Sequence, residues 1–284
     1  MRIGLLCKPH LPQAQPLAEA ITAWLTERGV EVWQECSARA PVHPDLPQSD
    51  LLITLGGDGT VLRAVQAAAP HAVPVLGIHL GRVGFLTEIR PEQWEETLTQ
   101  FLDGAGWLDT RALVRATVLR GGYPVLESDA LNEAVLARSV PAARAIRLQA
   151  VLDGVDFGEH VLDALIVATA TGSTAYASAA GGPVMSPWLK NLLWVPVAPY
   201  LSPDRALVLG AEAHIEVTVL PNVEQALTLD GQTVVLLKTG DRILLSRSPR
   251  QARFWRVGSR EAFYRVLALR TFLRREGNHG RTTG

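Results

Sequence analysis

The chain has 284 residues, 48% of them hydrophobic and 19% charged, enough apolar content for a buried core and too much for wholesale disorder. Its 27 Lys and Arg against 28 Asp and Glu leave a formal charge of −1, without the basic footprint that nucleic-acid binding requires. No apolar run approaches the roughly 18 residues of a membrane span, the N-terminus reads as a strand rather than a signal peptide, and two cysteines are too few for a disulfide framework. The expectation is a soluble, cytoplasmic protein in which Cys7 and Cys36 are buried, inert thiols.

Residues 1–7 form an apolar run, followed by Leu17, Ile21, Trp24 and Leu25 at helical spacing, with Gly29 where a helix stops. The alternation continues through strands at 30–33 and 50–55, a helix at 61–69, a strand at 73–78 and a helix at 92–103. Near-continuous apolar strands between helices indicate a parallel sheet covered on both faces. Beyond residue 108 the period changes to two, as in Ile146, Leu148, Ala150 and Leu152 and again in Ile215, Val217 and Val219. Asp153-Gly154, Asp230-Gly231 and Gly240-Asp241 mark turns between such runs. The fold class expected is an α/β N-terminal domain with a parallel, Rossmann-like sheet, residues 1–108, then a β-rich, sandwich-type domain, residues 109–250. A helix at 263–273 falls in a closing segment, residues 251–275, and residues 276–284 read as a flexible tail.

Between the apolar strand at 50–55 and the helix at 61–69 stands Gly56-Gly57-Asp58-Gly59-Thr60. A glycine-rich turn entering a helix brings backbone N–H groups close to phosphate oxygens. This one matches neither GxGxxG nor the P-loop, and it carries a carboxylate that would repel phosphate. Asp58 makes chemical sense facing a hydroxyl, accepting its proton as it attacks a phosphoryl group. The plainer alternative is a helix cap, although three glycines around one aspartate exceed what a cap needs. Arg63, one turn on, fits a phosphate ligand or an exposed helix arginine equally well. The segment Gly56 to Thr60, continued by Val61-Leu62-Arg63-Ala64 and by Gly77-Ile78-His79-Leu80-Gly81-Arg82-Val83-Gly84-Phe85-Leu86, resembles the NAD kinase family. The GGDGT turn is shared with lipid kinases of the diacylglycerol and sphingosine type.

A second segment separates the two. Thr169-Ala170-Thr171-Gly172-Ser173-Thr174-Ala175-Tyr176, followed by Gly181-Gly182-Pro183, leaves the buried strand at 164–168. Such a loop offers hydroxyl and backbone donors to a ribose or phosphate and a ring for base stacking, or is an ordinary Ser/Thr/Gly loop around a packed tyrosine. It resembles the TGSTAY signature of NAD kinases. Read alone, Asn132-Glu133 is a turn before a strand and Asp163 a strand-end residue; the resemblance makes the first an NAD-contacting pair and sets the second beside the nicotinamide. Arg144, Ala198 and Gln232 fall at further NAD contacts of the family. Departures are His79 for a common asparagine, Val161 for a common lysine or arginine, Ala170 for proline and Tyr200 for histidine.

The resemblance implies an ATP-dependent NAD kinase that phosphorylates the adenosine 2′-hydroxyl. Asp58 is then the base, Gly57, Gly59, Thr60 and Arg63 the phosphate side, and Asn132, Glu133, Asp163, Thr171, Ser173, Thr174, Ala175 and Tyr176 the NAD side. Mg²⁺ or another divalent cation accompanies ATP, with metal ligands unassigned. NAD lies between the two domains, the C-terminal segment returns to the first, and the protein is a homodimer or homotetramer. The alternatives are a lipid or small-alcohol kinase, and a non-catalytic NAD(P) sensor.

Overall fold

The computed structural model describes the chain except residues 38, 39, 41, 82, 83, 140–143, 201–204 and 272–284. It divides into two compact units, Met1–Asp109 with the chain from Arg253 onward, and Thr110–Ala252.

The first unit is built from β1 (Arg2–Cys7), α1 (Ala14–Glu27), β2 (Glu31–Cys36), β3 (Leu51–Gly56), α2 (Asp58–Ala68), β4 (Val75–His79) and α3 (Trp94–Leu102). The strands run in the order β2-β1-β3-β4, all parallel, which is the arrangement expected from their apolar runs. Every residue of β3 and β4 is buried. Ala18, Ile21 and Leu25 give α1 one apolar face, and Gly29 at φ +75 ends it in the left-handed turn that glycine adopts at low cost. Ile3, Leu5, Ile53, Leu55, Leu76 and Ile78 join that face in one core.

Parallel register sets Cys7 opposite Cys36 with their Cα atoms 4.5 Å apart, and the two form a disulfide. The expectation of inert thiols is corrected here. Counting cysteines does not reveal strand register, and it is register that brings this pair within bridging reach.

Antiparallel strands make up the second unit, apart from residues 107–109 of the first strand and 253–256 of the last, which belong to the first unit. They are β5 (Trp107–Arg120), β6 (Tyr123–Ala130), β7 (Glu133–Arg138), β8 (Ile146–Leu152), β9 (Val155–Leu162) and β10 (Ala164–Thr169), then the short α4 (Tyr176–Ala179), β11 (Leu192–Val197), β12 (Leu207–Leu209), β13 (His214–Val219), β14 (Gln225–Leu229), β15 (Thr233–Leu237) and β16 (Arg242–Arg256). One sheet has the order β16-β13-β8-β9, with β5 on β16 and β6 on β5; the other runs β12-β11-β10-β7-β14-β15. Alternating residues from both, among them Val114, Leu148, Leu165, Trp194, Val217 and Leu245, meet in a sandwich core. The far face of β10 and β11 is covered by Ala177 of α4 and by Met185.

The last helix, α5 (Glu261–Thr271), belongs to the first unit. Residues 272 and 273 of the expected helix, and the expected tail at 276–284, lie outside the described residues.

Candidate active site

In the first unit the glycine turn leaves β3 at its C-terminal end, and Gly57 in an extended conformation (φ −113, ψ −170) precedes α2. Asp58 is therefore the first residue of the helix, and its side chain does not cap it. Its carboxylate reaches the loop after β4, where Oδ2 accepts the Phe85 N–H at 2.9 Å and Oδ1 the Leu86 N–H at 3.2 Å. A Cβ on Gly84 would run into that carboxylate, so only glycine lets the loop close on Asp58. Gly84 N–H also donates to Thr87 Oγ1 at 3.1 Å. A carboxylate offers about four lone-pair sites, so two backbone bonds leave room for a hydroxyl.

A Cβ on Gly57 or Gly59 would meet open space. The unit's own packing leaves that side of the turn clear, as close approach by a ligand requires. Thr60 is buried and its Oγ1 accepts from Arg63 Nη2 at 3.3 Å. Arg63 Nε is buried with no partner, and burial pulls the guanidinium below the usual arginine range. An unfilled donor on a partly desolvated cation suits a phosphate oxygen. His79 Nδ1 lies 3.0 Å from Gly81 O and the ring is buried, so the reading of a packed, hydrogen-bonding histidine stands.

The second unit brings most of the expected NAD side together. The turn before β7 is bonded on both of its polar edges. Asp230, from the β14–β15 turn, accepts the N–H groups of Leu131 at 2.7 Å, Asn132 at 2.7 Å and Glu133 at 3.1 Å, and its own N–H returns to Glu133 O. On the opposite edge, Thr169 N–H donates to Asn132 O at 2.8 Å and Thr169 Oγ1 to Leu131 O at 2.5 Å. Gly172 packs so closely on Asn132 O that a Cβ would not fit. The Thr169–Tyr176 loop and the Asn132-Glu133 turn are thus one structure, with Gln232 two residues beyond Asp230.

Within it, Glu133 is buried, accepts the Tyr176 N–H, and keeps Oε2 without a partner. Burial first, and the nearby Asp230 charge second, raise its pKa to about 8. Burial likewise raises Asp230 to about 6 against the lowering by its three N–H bonds. Thr171 Oγ1 is buried and unpartnered, Thr174 Oγ1 donates to Thr171 O at 3.1 Å, and Tyr176 exposes 44% of its surface, leaving a ring face to stack on. Ser173 is turned inward, its Oγ donating to Ala170 O at 2.7 Å and accepting from Met185 N at 2.9 Å, so that it shapes the loop.

Asp163 pairs with Arg138 at 2.9 Å on a half-exposed edge. Backbone bonds from Asp163 N to Val197 O (2.9 Å) and from Tyr200 N to Val161 O (2.7 Å) gather Asp163, Ala198 and Tyr200 around it. Ala198 holds φ +47. Arg144 is exposed and joins neither group. Among the described residues no three His, Cys, Asp or Glu side chains cluster to hold a metal ion.

Sequence models of the ATP-NAD kinase N-terminal and C-terminal domains match residues 45–105 and 131–257. The chain is 38% identical to an NAD kinase of Chloroflexus aurantiacus, over 95% of this chain and 98% of that protein. The chain belongs to the NAD kinase family. An NAD kinase of Desulforamulus reducens is 37% identical, over 89% and 91% of the two chains. The crystal structure of an NAD kinase from Archaeoglobus fulgidus in complex with ATP superposes with a TM-score of 0.78 at 29% identity, covering 94% of this chain and 98% of that one. A yeast NADH kinase complexed with NADH, at 24% identity and TM-score 0.81, shares the fold over 100% of this chain and 90% of its own.

For a member of this family, the sequence pattern left several contributors without a role. Gly84, Phe85 and Leu86 belong to the segment that carries the resemblance, and they hold the carboxylate. Asp230 read only as a turn residue. The signal available for it was a carboxylate before glycine in the same short stretch as Gln232.

Proposed function

We propose that Asp58 is the general base in NAD phosphorylation, the reaction in which the γ-phosphoryl of ATP passes to the 2′-hydroxyl of the adenosine ribose to give NADP. The observation that carries this is the fixed carboxylate beside an open glycine turn. Asp58 takes the hydroxyl proton as the oxygen attacks phosphorus. Two fixed N–H groups orient the carboxylate before substrate arrives, which removes reorganisation from the chemical step. Gly57, Gly59 and Thr60 present the helix N-terminal backbone to phosphate oxygens, and Arg63 supplies a cation.

Asn132 and Glu133 orient NAD from their doubly bonded turn. The burial and the Asp230 charge that raise the pKa of Glu133 favour its protonated form, which can donate to an acceptor on the substrate. Thr171, Thr174, Ala175 and Tyr176 line the same side, Asp163 and Ala198 address the nicotinamide end, and Gln232 and Arg144 contribute outer contacts. A divalent cation such as Mg²⁺ would be carried on the donor phosphates, its usual habit, offsetting their charge.

The family assignment supports NAD and ATP as the small-molecule partners. We place the protein in the cytoplasm as a homodimer or homotetramer, which sedimentation of the purified protein tests; among the described residues no helix is long and apolar enough to cross a membrane. The lipid-kinase and silent-sensor readings gain no support from the relatives.

The decisive assay incubates the protein with NAD, ATP and Mg²⁺ and reads NADP through an NADP-specific dehydrogenase. Steady NADP production is expected. Its absence at every nucleotide concentration would end this reading.

A further inference from the structure

Phe85 and Leu86 can orient Asp58 only if their own peptide planes are fixed, yet they lie on a loop, where backbone is ordinarily the least ordered part of a domain. Beside the local bond from Gly84 N–H to Thr87 Oγ1, a group 170 residues away fixes them. Arg256 Nη1 donates to Leu86 O at 3.0 Å, so Leu86 gives its N–H to the Asp58 carboxylate and its carbonyl to a guanidinium. Arg256 is 7% exposed and is itself held on several sides. Its Nε lies 3.4 Å from Asp109 Oδ2, its Nη1 lies 3.4 Å from Glu88 Oε2, and its guanidinium carbon sits 4.7 Å from the centre of the Phe254 ring. Glu88 in turn accepts the Gly258 N–H, and Gly258 O accepts from Trp107 Nε1 at 2.7 Å. All of these groups belong to the first unit.

We propose that Arg256 is a positioning residue for phosphoryl transfer, fixing through Leu86 the N–H pair that aims the Asp58 carboxylate. For stability alone, an apolar side chain of similar volume in a buried ionic cluster often serves as well or better. A guanidinium adds direction: its rigid fork satisfies a carbonyl and two carboxylates at set angles. One of those bonds falls on the residue that holds the proposed base, so its angular precision passes to Asp58 through a single intervening residue. The inference rests on Asp58 being the base and adds a residue that the sequence motifs do not contain.

Arg256→Met and Arg256→Lys test it in the intact chain, with Asp58→Asn in parallel. A misplacement of about 1 Å can cost about 100-fold in rate, so Arg256→Met should lower kcat by about 10- to 100-fold while KM for NAD and for ATP stays near wild type. Arg256→Lys, which keeps the charge and one donor for Leu86 O, should recover part of that loss. A folded Arg256→Met enzyme with wild-type kcat overturns the proposal, and so does a fall in kcat matched by the loss of folded protein. Should the Met variant fail to fold, Arg256→Lys decides: lowered kcat at unchanged KM supports positioning, and wild-type kcat refutes it. An inactive Asp58→Asn beside fully active Arg256 variants sinks this inference alone, whereas an active Asp58→Asn removes the base assignment and this inference with it.

Discussion

Two turns, one in each unit, carry the proposed chemistry, and they handle a carboxylate in opposite ways. In the first unit, Asp58 is the proposed base, and the surrounding backbone supplies two N–H donors to hold it. In the second, Asp230 is the holder: it takes three N–H donors from the turn that carries Asn132 and Glu133, the proposed NAD contacts. Asp58 has room for a hydroxyl, whereas Asp230 and Glu133 stand close enough for the charge of one to raise the pKa of the other. The contrast fits the tasks. A base needs a fixed carboxylate with a free lone pair, while a recognition turn needs a rigid backbone and tolerates a carboxyl whose pKa is raised.

That comparison breaks most visibly at Asp230. Asp230→Ala strips the acceptor from three turn N–H groups, and orphaned donors of this kind cost about 1–3 kcal/mol each; with water recovering part, a loss of about 3 kcal/mol is expected in urea unfolding. KM for NAD should rise with it while the chemical step changes less. Intact stability and unchanged KM would show that the turn holds itself.

Gly84→Ala addresses the first turn in the same spirit. The added methyl must displace the Asp58 carboxylate, so kcat should fall by about 100-fold, the scale of a 1 Å misplacement, with NAD binding preserved. A wild-type kcat would show that Asp58 need not be held where it is.

Glu133 gives the comparison a pH signature. Its folded-state pKa is raised to about 8 from an ordinary 4.5, so the folded protein binds the extra proton between those values. Stability is therefore greatest at the acid end of that window and declines as pH rises through it, at up to about 1.4 kcal/mol per unit. Asp230, raised to about 6, adds the same sign at lower pH. Between pH 6.5 and 8 the Tm of the wild type should drop more steeply than that of Glu133→Gln, by differential scanning calorimetry. Parallel slopes would mean that Glu133 is ionised throughout.

The smallest effect on folding is expected at Gly57. A methyl there meets open space, so Gly57→Ala should leave the unfolding free energy within about 0.5 kcal/mol of wild type, the usual range for an unencumbered site, yet raise KM for ATP by crowding the phosphates. A changed Tm with unchanged KM would reverse the reading of that face.

Much of the fold was legible in local pattern. Apolar runs at β1, β3 and β4 with helical spacing between them announced a parallel sheet, and alternation at β8 and β13 announced the antiparallel unit. The glycine turn and the Thr169–Tyr176 loop stood out because their composition is unusual over a few consecutive residues. What stayed hidden depends on contacts distant along the chain. Asp230 and Asn132 are 98 residues apart, and Arg256 and Leu86 are 170. Nothing in the residues beside Asp230 or Arg256 points to the partner that each holds. Cys7 and Cys36 remained unpaired in the sequence reading for the same reason, since only the register of β1 on β2 sets them face to face.

The most direct test mixes Asp58→Asn enzyme in excess with NAD, ATP and Mg²⁺ and follows a single turnover, alongside calorimetric titration of NAD. A side chain that removes the proton during attack should leave NAD affinity near wild type and slow 2′-phosphate formation by about 10²- to 10⁴-fold, the range of general-base contributions. Phosphate formation at the wild-type rate would contradict the assignment.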